Sequence, residues 1–207
     1  MEEQFLKALR RGKAASVKKS GKQYAVLVPF LEKESGPEVL FEVRASGLRR
    51  QPCEICFPGG KSLEGESPEE TAVRETAEEL LLPKEQIRVP EVLDSFDIDG
   101  HGVLTPVIGE LADYEGTYSA EEVDHVFTVP LAFFLREKPE WYEIAMESHP
   151  GEEFPYDRIP KGRDFSWGTR YRRVAFYRYG DYEIWGITAG IMADVAAFLR
   201  IGGYEGR

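Results

Sequence analysis

The chain reads as an α/β fold built on a mixed central sheet with helices on both faces. Three observations carry this. Apolar, β-branched and aromatic runs of strand length recur along the chain, one strongly capped helix falls early, and one apolar-faced helix closes it. With 207 residues, 42% of them hydrophobic, and twelve Phe, ten Tyr and three Trp, the composition suits a folded globule with a real core. We read residues 1–207 as a single domain.

In chain order, residues 2–10 (Glu2 to Arg10) predict a short amphipathic helix with Phe5, Leu6 and Leu9 on one side. The basic segment from Arg10 to Lys19 reads as a loop or solvated edge. Residues 24–30 and 38–44 predict two strands, joined by the hairpin signal Glu34-Ser35-Gly36-Pro37. Ser67 starts a helix: it can cap, Pro68 suits the first turn, and Glu70 completes a capping box. Residues 87–96 and 104–111 predict two further strands, joined by the glycine-containing turn 97–102. Residues 126–131 read as a strand end leading into a helical turn near Phe133 to Leu135. Strands at 174–179 and 182–185 flank Gly180-Asp181, a hairpin signal. A helix over 188–200, apolar at Ile191, Met192, Val195, Ala196 and Leu199, ends at Gly202-Gly203.

A net charge of −11 argues against nucleic acid or an anionic membrane as partner. No stretch approaches the roughly 20 apolar residues of a membrane span. The start Met1-Glu2-Glu3-Gln4-Phe5-Leu6 carries acid where a secretory signal carries base, so the expected location is cytoplasmic. Cys53 and Cys56 form a lone C-x-x-C, which cannot complete a four-ligand zinc site; we read them as structural thiols, with the disulfide left open.

The chemistry concentrates in residues 57–79. Once the helix from Ser67 runs, Glu75, Glu78 and Glu79 share one side. Like charges that close repel unless cations sit among them, and oxygen-rich carboxylate clusters suit Mg²⁺ or Mn²⁺. The pattern asks for metal-assisted chemistry on a phosphate.

Gly60, Glu66, Arg74, Glu75, Glu78 and Glu79 stand in the register of the Nudix box, and the stretch resembles that family. Thr76 replaces an aliphatic residue of the pattern and Leu81 its closing glycine. Thr76 is expected to face the core with its hydroxyl bonded back to the helix. Leu81 is expected to lose the left-handed helix exit that glycine gives. The resemblance implies a Nudix-type α/β/α sandwich and a divalent-metal-dependent pyrophosphohydrolase. It makes Glu75 and Glu79 the main metal ligands, Glu78 a further one, and the carbonyl of Gly59 or Gly60 a possible added oxygen. Glu66 is read as accepting a salt bridge from Arg74 that orients the helix. The base stays open between Glu78 and Glu122, with His101 a weaker candidate.

Upstream, Arg44, Ala45, Arg49 and Phe57 to Gly60 match the signature of the coenzyme A pyrophosphatase branch, with Cys53 where that branch has glycine. The segments around Glu121 to Leu131 and Ile184 to Ala189 are similar to it too. The resemblance implies cleavage of coenzyme A or acyl-CoA to 3′,5′-ADP and (acyl-)4′-phosphopantetheine, with Arg44, Arg49 and Arg50 on the phosphates; pairing of these arginines with surface acids is the plainer alternative. A second basic zone, Arg158, Lys161, Arg163, Arg170, Arg172, Arg173 and Arg178, alternates with Tyr156, Phe165, Trp167 and Tyr171. Residues 140–173 could thus form a capping insertion, an ordinary surface insertion or a homodimer contact. The alternatives in function are a Nudix hydrolase of ADP-ribose, a dinucleotide or a nucleoside triphosphate, and a non-catalytic nucleotide sensor.

Overall fold

The structure, a computed structural model, describes Phe5 and residues 21–98 and 101–204. The rest of the helix expected at 2–10, the basic segment of residues 10–19, and Asp99 and Gly100 lie outside the described residues. Phe5 is itself helical, and its buried ring meets Phe30 and Tyr204 edge-on.

Among the described residues, eight strands form the central sheet: β1 (Gln23–Leu31), β2 (Glu38–Arg44), β3 (Ile55–Cys56), β4 (Gly59–Lys61), β5 (Ile87–Val92), β6 (Phe96–Asp97), β7 (Val103–Leu111) and β8 (Val123–Pro130). β3, β2, β1, β7 and β5 lie side by side, with β4 on β1, β6 on β7 and β8 on β2. The sheet is mixed because β1 runs parallel to β7, from Gln23↔Val103 to Phe30↔Glu110, and antiparallel to β2 and β4. The single strand expected over 87–96 is two short ones, β5 and β6, separated by Leu93–Ser95. β8 begins at Val123, earlier than its apolar run suggests.

Both faces of this sheet are covered. Ala25, Leu27 and Leu31 of β1 join Leu40, Val107 and Leu111 in one core with Ala72 and Leu80, under helix α1 (Pro68–Glu79). The alternate residues Val28, Phe30, Val39, Phe41 and Ile108 join Ile191, Met192, Val195 and Leu199 of the last helix. Period-two side-chain alternation thus feeds two separate cores, which is why β1 and β7 read as nearly continuous apolar runs. Helix α1 is capped as its sequence predicts: the Glu70 N–H donates to Ser67 Oγ, and the Ser67 N–H donates to Glu70 Oε2. The short α2 (Leu131–Arg136) follows β8, and α3 (Gly186–Ile201) closes the fold.

A second sheet of three antiparallel strands, β9 (Glu140–Glu147), β10 (Thr169–Tyr179) and β11 (Tyr182–Trp185), has order β11-β10-β9. The inner half of β10, with Ala175 and Tyr177, packs into the α3 core. β9 was not legible as a strand in the sequence, and all eight of its residues are exposed. With the opposing half of β10 it forms an arm standing off the body.

Leu81 corrects one expectation, and Cys53 behaves in the same way. Leu81 leaves α1 at φ 51° and Cys53 sits at φ 61°, so both adopt the left-handed backbone that glycine would. For residues with a Cβ this costs roughly 1–2 kcal/mol each. Thr76 is fully buried, but its Oγ1 has no partner among the described residues, contrary to the hydroxyl-to-helix bond expected of it.

Candidate active site

β2 brings the first acid into place. Leu40 faces the α1 core, so Glu42, two residues on, shares that face and is 1% exposed. Glu79, at the end of α1, is 3% exposed and comes down beside it. Burial pushes the Glu79 carboxyl up to about 9, with the charges of Glu42, Glu75 and Glu122 adding to it. Burial likewise pushes Glu42 up to about 7, and Glu122 raises it further. Two opposing contacts hold the pair: the Gly59 N–H donates to Glu79 Oε2 at 2.8 Å, and Cys56 Sγ donates to Glu42 Oε1 at 3.2 Å. Glu42 Oε2 has no partner among the described residues.

Gly59 is required by space, whereas a side chain on Gly60 would displace the carboxylate end of Glu75. A Cβ on Gly59 would stand 2.3 Å from the Ala25 carbonyl oxygen, and one on Gly60 would stand 2.5 Å from the Glu75 carboxyl carbon. β4 pairs Gly60 with Ala25 and Gly59 with Val26, and the Leu27 N–H donates to the Pro58 carbonyl. The loop therefore lies flat on β1 and leaves room for a carboxylate above it.

Arg74 organises the helix side. Its Nε and Nη2 donate to the two oxygens of Glu66 at 2.7 and 2.9 Å, and Nη2 also reaches the Lys61 carbonyl. Nη1 donates to Glu75 at 2.8 Å and, more weakly, to Glu78 at 3.4 Å. Glu66 further accepts from the Leu63 N–H and Thr71 Oγ1. The guanidinium holds the Glu66 carboxyl down at about 2, with the Leu63 N–H adding to it.

Of the other residues marked in the sequence, Arg44 stands two further along β2 on the Glu42 face, and its charge acts on Glu42. Its buried Nε has no partner among the described residues. The Glu122 carbonyl accepts from the Ala45 N–H, which sets that loop beside β2, and the Glu122 carboxylate acts on Glu42 and Glu79. Arg49 and Arg50 lie exposed in the β2–β3 loop, and His101 is exposed in the turn before β7. Glu42 and Cys56 belong to the cluster and escaped the sequence reading. The signal was available: Glu42 is the one charged residue inside the run Val39-Leu40-Phe41-Glu42-Val43. Cys56, read as merely structural, touches Glu42 directly.

The donor set suits a hard divalent cation: three carboxylates on α1 and a fourth on β2, all oxygen, two of them buried. Among the described residues no three acids cluster at ligating distance; Glu75 accepts from Arg74 and Glu79 from the Gly59 N–H. The NUDIX-domain family model matches residues 21–161. The chain belongs to the Nudix family.

Nudix hydrolases are pyrophosphohydrolases that generally use divalent cations, and the carboxylate cluster is consistent with both. Among curated relatives, the chain is 36% identical over 137 residues to a peroxisomal coenzyme A diphosphatase, NUDT7, of Mus musculus. That match covers 65% of this chain and 57% of the mouse protein. It is 34% identical over 183 residues to the Nudix hydrolase NudL of Enterobacter sp. (strain 638), covering 87% of this chain and 83% of that one. The crystal structure of a MutT/nudix family protein from Enterococcus faecalis aligns at TM-score 0.49 and 16% identity, covering 93% of this chain and 66% of that one.

Proposed function

We propose that this Nudix hydrolase cleaves the pyrophosphate of coenzyme A or an acyl-CoA, giving 3′,5′-ADP and (acyl-)4′-phosphopantetheine. The observation that carries the reading is Arg44. Its guanidinium, with a buried Nε lacking a partner among the described residues, stands beside the acids suited to a metal. A buried donor without an acceptor costs about 1–3 kcal/mol, and a phosphate oxygen would recover it. The likeness to the mouse coenzyme A diphosphatase and the spacing of Arg44, Arg49 and Phe57 to Gly60 support the same substrate.

Glu75, Glu78 and Glu79, with the Gly60 carbonyl, would hold Mg²⁺ or Mn²⁺, and Glu42 would complete the acid set. The ion would lower the pKa of a bound water and neutralise charge on the leaving phosphate. Arg44 grips one phosphate, while Arg49 and Arg50 on the loop reach toward the 3′-phosphate. Arg74 and Glu66 keep α1 in register over Gly59 and Gly60. Glu122 takes the proton from the attacking water; Glu78 is less suited, since it shares Arg74. Chemistry of this kind rests on positioning and electrostatics.

The test is a panel of coenzyme A, acyl-CoA, dephospho-coenzyme A and ADP-ribose with Mg²⁺ and Mn²⁺, products read by mass. We expect 3′,5′-ADP from the first two and slower turnover without the 3′-phosphate. Faster turnover of ADP-ribose would overturn the substrate, and binding with no turnover would overturn the enzyme.

A further inference from the structure

A β-strand at a sheet edge offers a row of unpaired N–H and C=O groups, and proteins usually blunt such edges with Pro, Lys or a bulge. β9 has no Pro, Lys or bulge, and its edge charges are three glutamates. Its sequence is Glu140-Trp141-Tyr142-Glu143-Ile144-Ala145-Met146-Glu147, and its pairing with β10 runs unbroken from Glu140↔Phe176 to Glu147↔Thr169. No strand meets its other edge among the described residues. Trp141, Tyr142, Ile144 and Met146 are between 38% and 54% exposed, an unusual load for one strand in water.

We propose that β9 is an interface between two copies of this chain, pairing antiparallel across a two-fold axis at Ile144. A two-fold normal to the sheet keeps each face on its own side, so only registers that pair a residue with itself at the axis are allowed. Centred on Glu143, the strand sets Glu143 against Glu143. Centred on Ala145, it sets Glu143 against Glu147. Centred on Ile144, it joins Tyr142 with Met146 and Ile144 with Ile144 on one face, and Glu143 with Ala145 on the other.

In that register no two carboxylates stand directly opposite each other, although Glu143 has the partner copy's Glu143 and Glu147 on its diagonals. Glu147 then lies opposite Trp141 of the partner copy, and within each chain the Arg173 guanidinium sits 4.5 Å over the Trp141 ring. Each Glu147 thereby meets an Arg173 across the axis, twice per dimer. Within its own chain, Glu147 lies 3.6 Å from the exposed His149. The two arms join as one six-stranded sheet whose apolar stripe continues through Val174, Phe176 and Trp185.

Sedimentation and light scattering on the full chain test this. The wild type is expected at twice 23.5 kDa. I144E puts two carboxylates on the axis and yields the single-chain mass with an unchanged far-UV spectrum. E147R weakens the dimer at least about tenfold, and E147R/R173E restores it, since ten-fold is a modest 1.4 kcal/mol on an exposed charge pair repeated twice. Should I144E lose its fold, disulfide capture decides: I144C cross-links to itself under mild oxidation, whereas Y142C, like the wild type, does not. A wild type that stays a single chain at every concentration overturns the proposal. So does a dimer that I144E leaves intact in a folded protein, or an I144C that fails to cross-link.

Discussion

Glu42 and Glu79 are acids shut into the body of the protein, while Trp141, Tyr142, Ile144 and Met146 are large apolar side chains left in water. Each region inverts the ordinary rule for its residue type. The inversion at the acids is held by stiff surroundings: sheet on one side, a capped helix on the other, and glycines that admit the carboxylates. The inversion on the arm has no such enclosure. Buried charge asks for a counter-ion, whereas exposed apolar surface asks for another surface. The two regions therefore advertise different partners.

The strongest way to break this comparison is at the acids. Glu79→Gln should lower turnover in saturating Mg²⁺ by at least about 100-fold, read in steady-state assays, because loss of metal charge stabilisation costs several kcal/mol. Ile144→Glu on the arm should leave turnover within about twofold. Next comes pH. Glu79 sits near 9 and Glu42 near 7 when folded, both above their ordinary 4.5. Without metal, their protonation is a stabilising contribution, fully present below 4.5 and lost as pH rises through 7 and then 9. Thermal melts of metal-free protein should fall across that window, and excess Mg²⁺ or Mn²⁺ should flatten the fall. Thr76→Val should raise stability by about 1 kcal/mol in urea melts, since the methyl replaces a buried hydroxyl with no partner among the described residues. Smallest is Leu81→Gly. Relief of the left-handed strain exceeds the added chain entropy of glycine by at most about 1 kcal/mol, and Leu81 is mostly exposed.

Helix α1 was legible because its start signals and its acids follow local rules: cap, proline and three-four spacing. Strands β1, β2 and β7 were legible from their apolar runs. Glu42 was missed because a charge within such a run reads as an interruption, and its meaning depends on which face of β2 turns to α1. Cys56 was missed for a similar reason, since its partner lies fourteen residues away on the neighbouring strand. β9 carries three glutamates and no clean polar alternation, as neither of its faces meets a core. Leu81 and Cys53 show a further limit: the backbone shape that glycine usually provides is kept without glycine, a choice made by the surrounding turn.

The parallel pairing of β1 with β7 has a consequence for how the protein comes into being. Tyr24 meets Leu104, eighty residues on, and the whole stretch from Phe57 to Glu79 lies inside the loop this pairing closes. Closing so long a loop is slow compared with forming a helix or hairpin. Helix α1 can wind early, but the floor under its acids is complete only once β7 has emerged and docked. On the ribosome, the candidate site is thus among the last parts of its own neighbourhood to mature, and a chain halted before Leu111 would carry the motif without the assembled cluster.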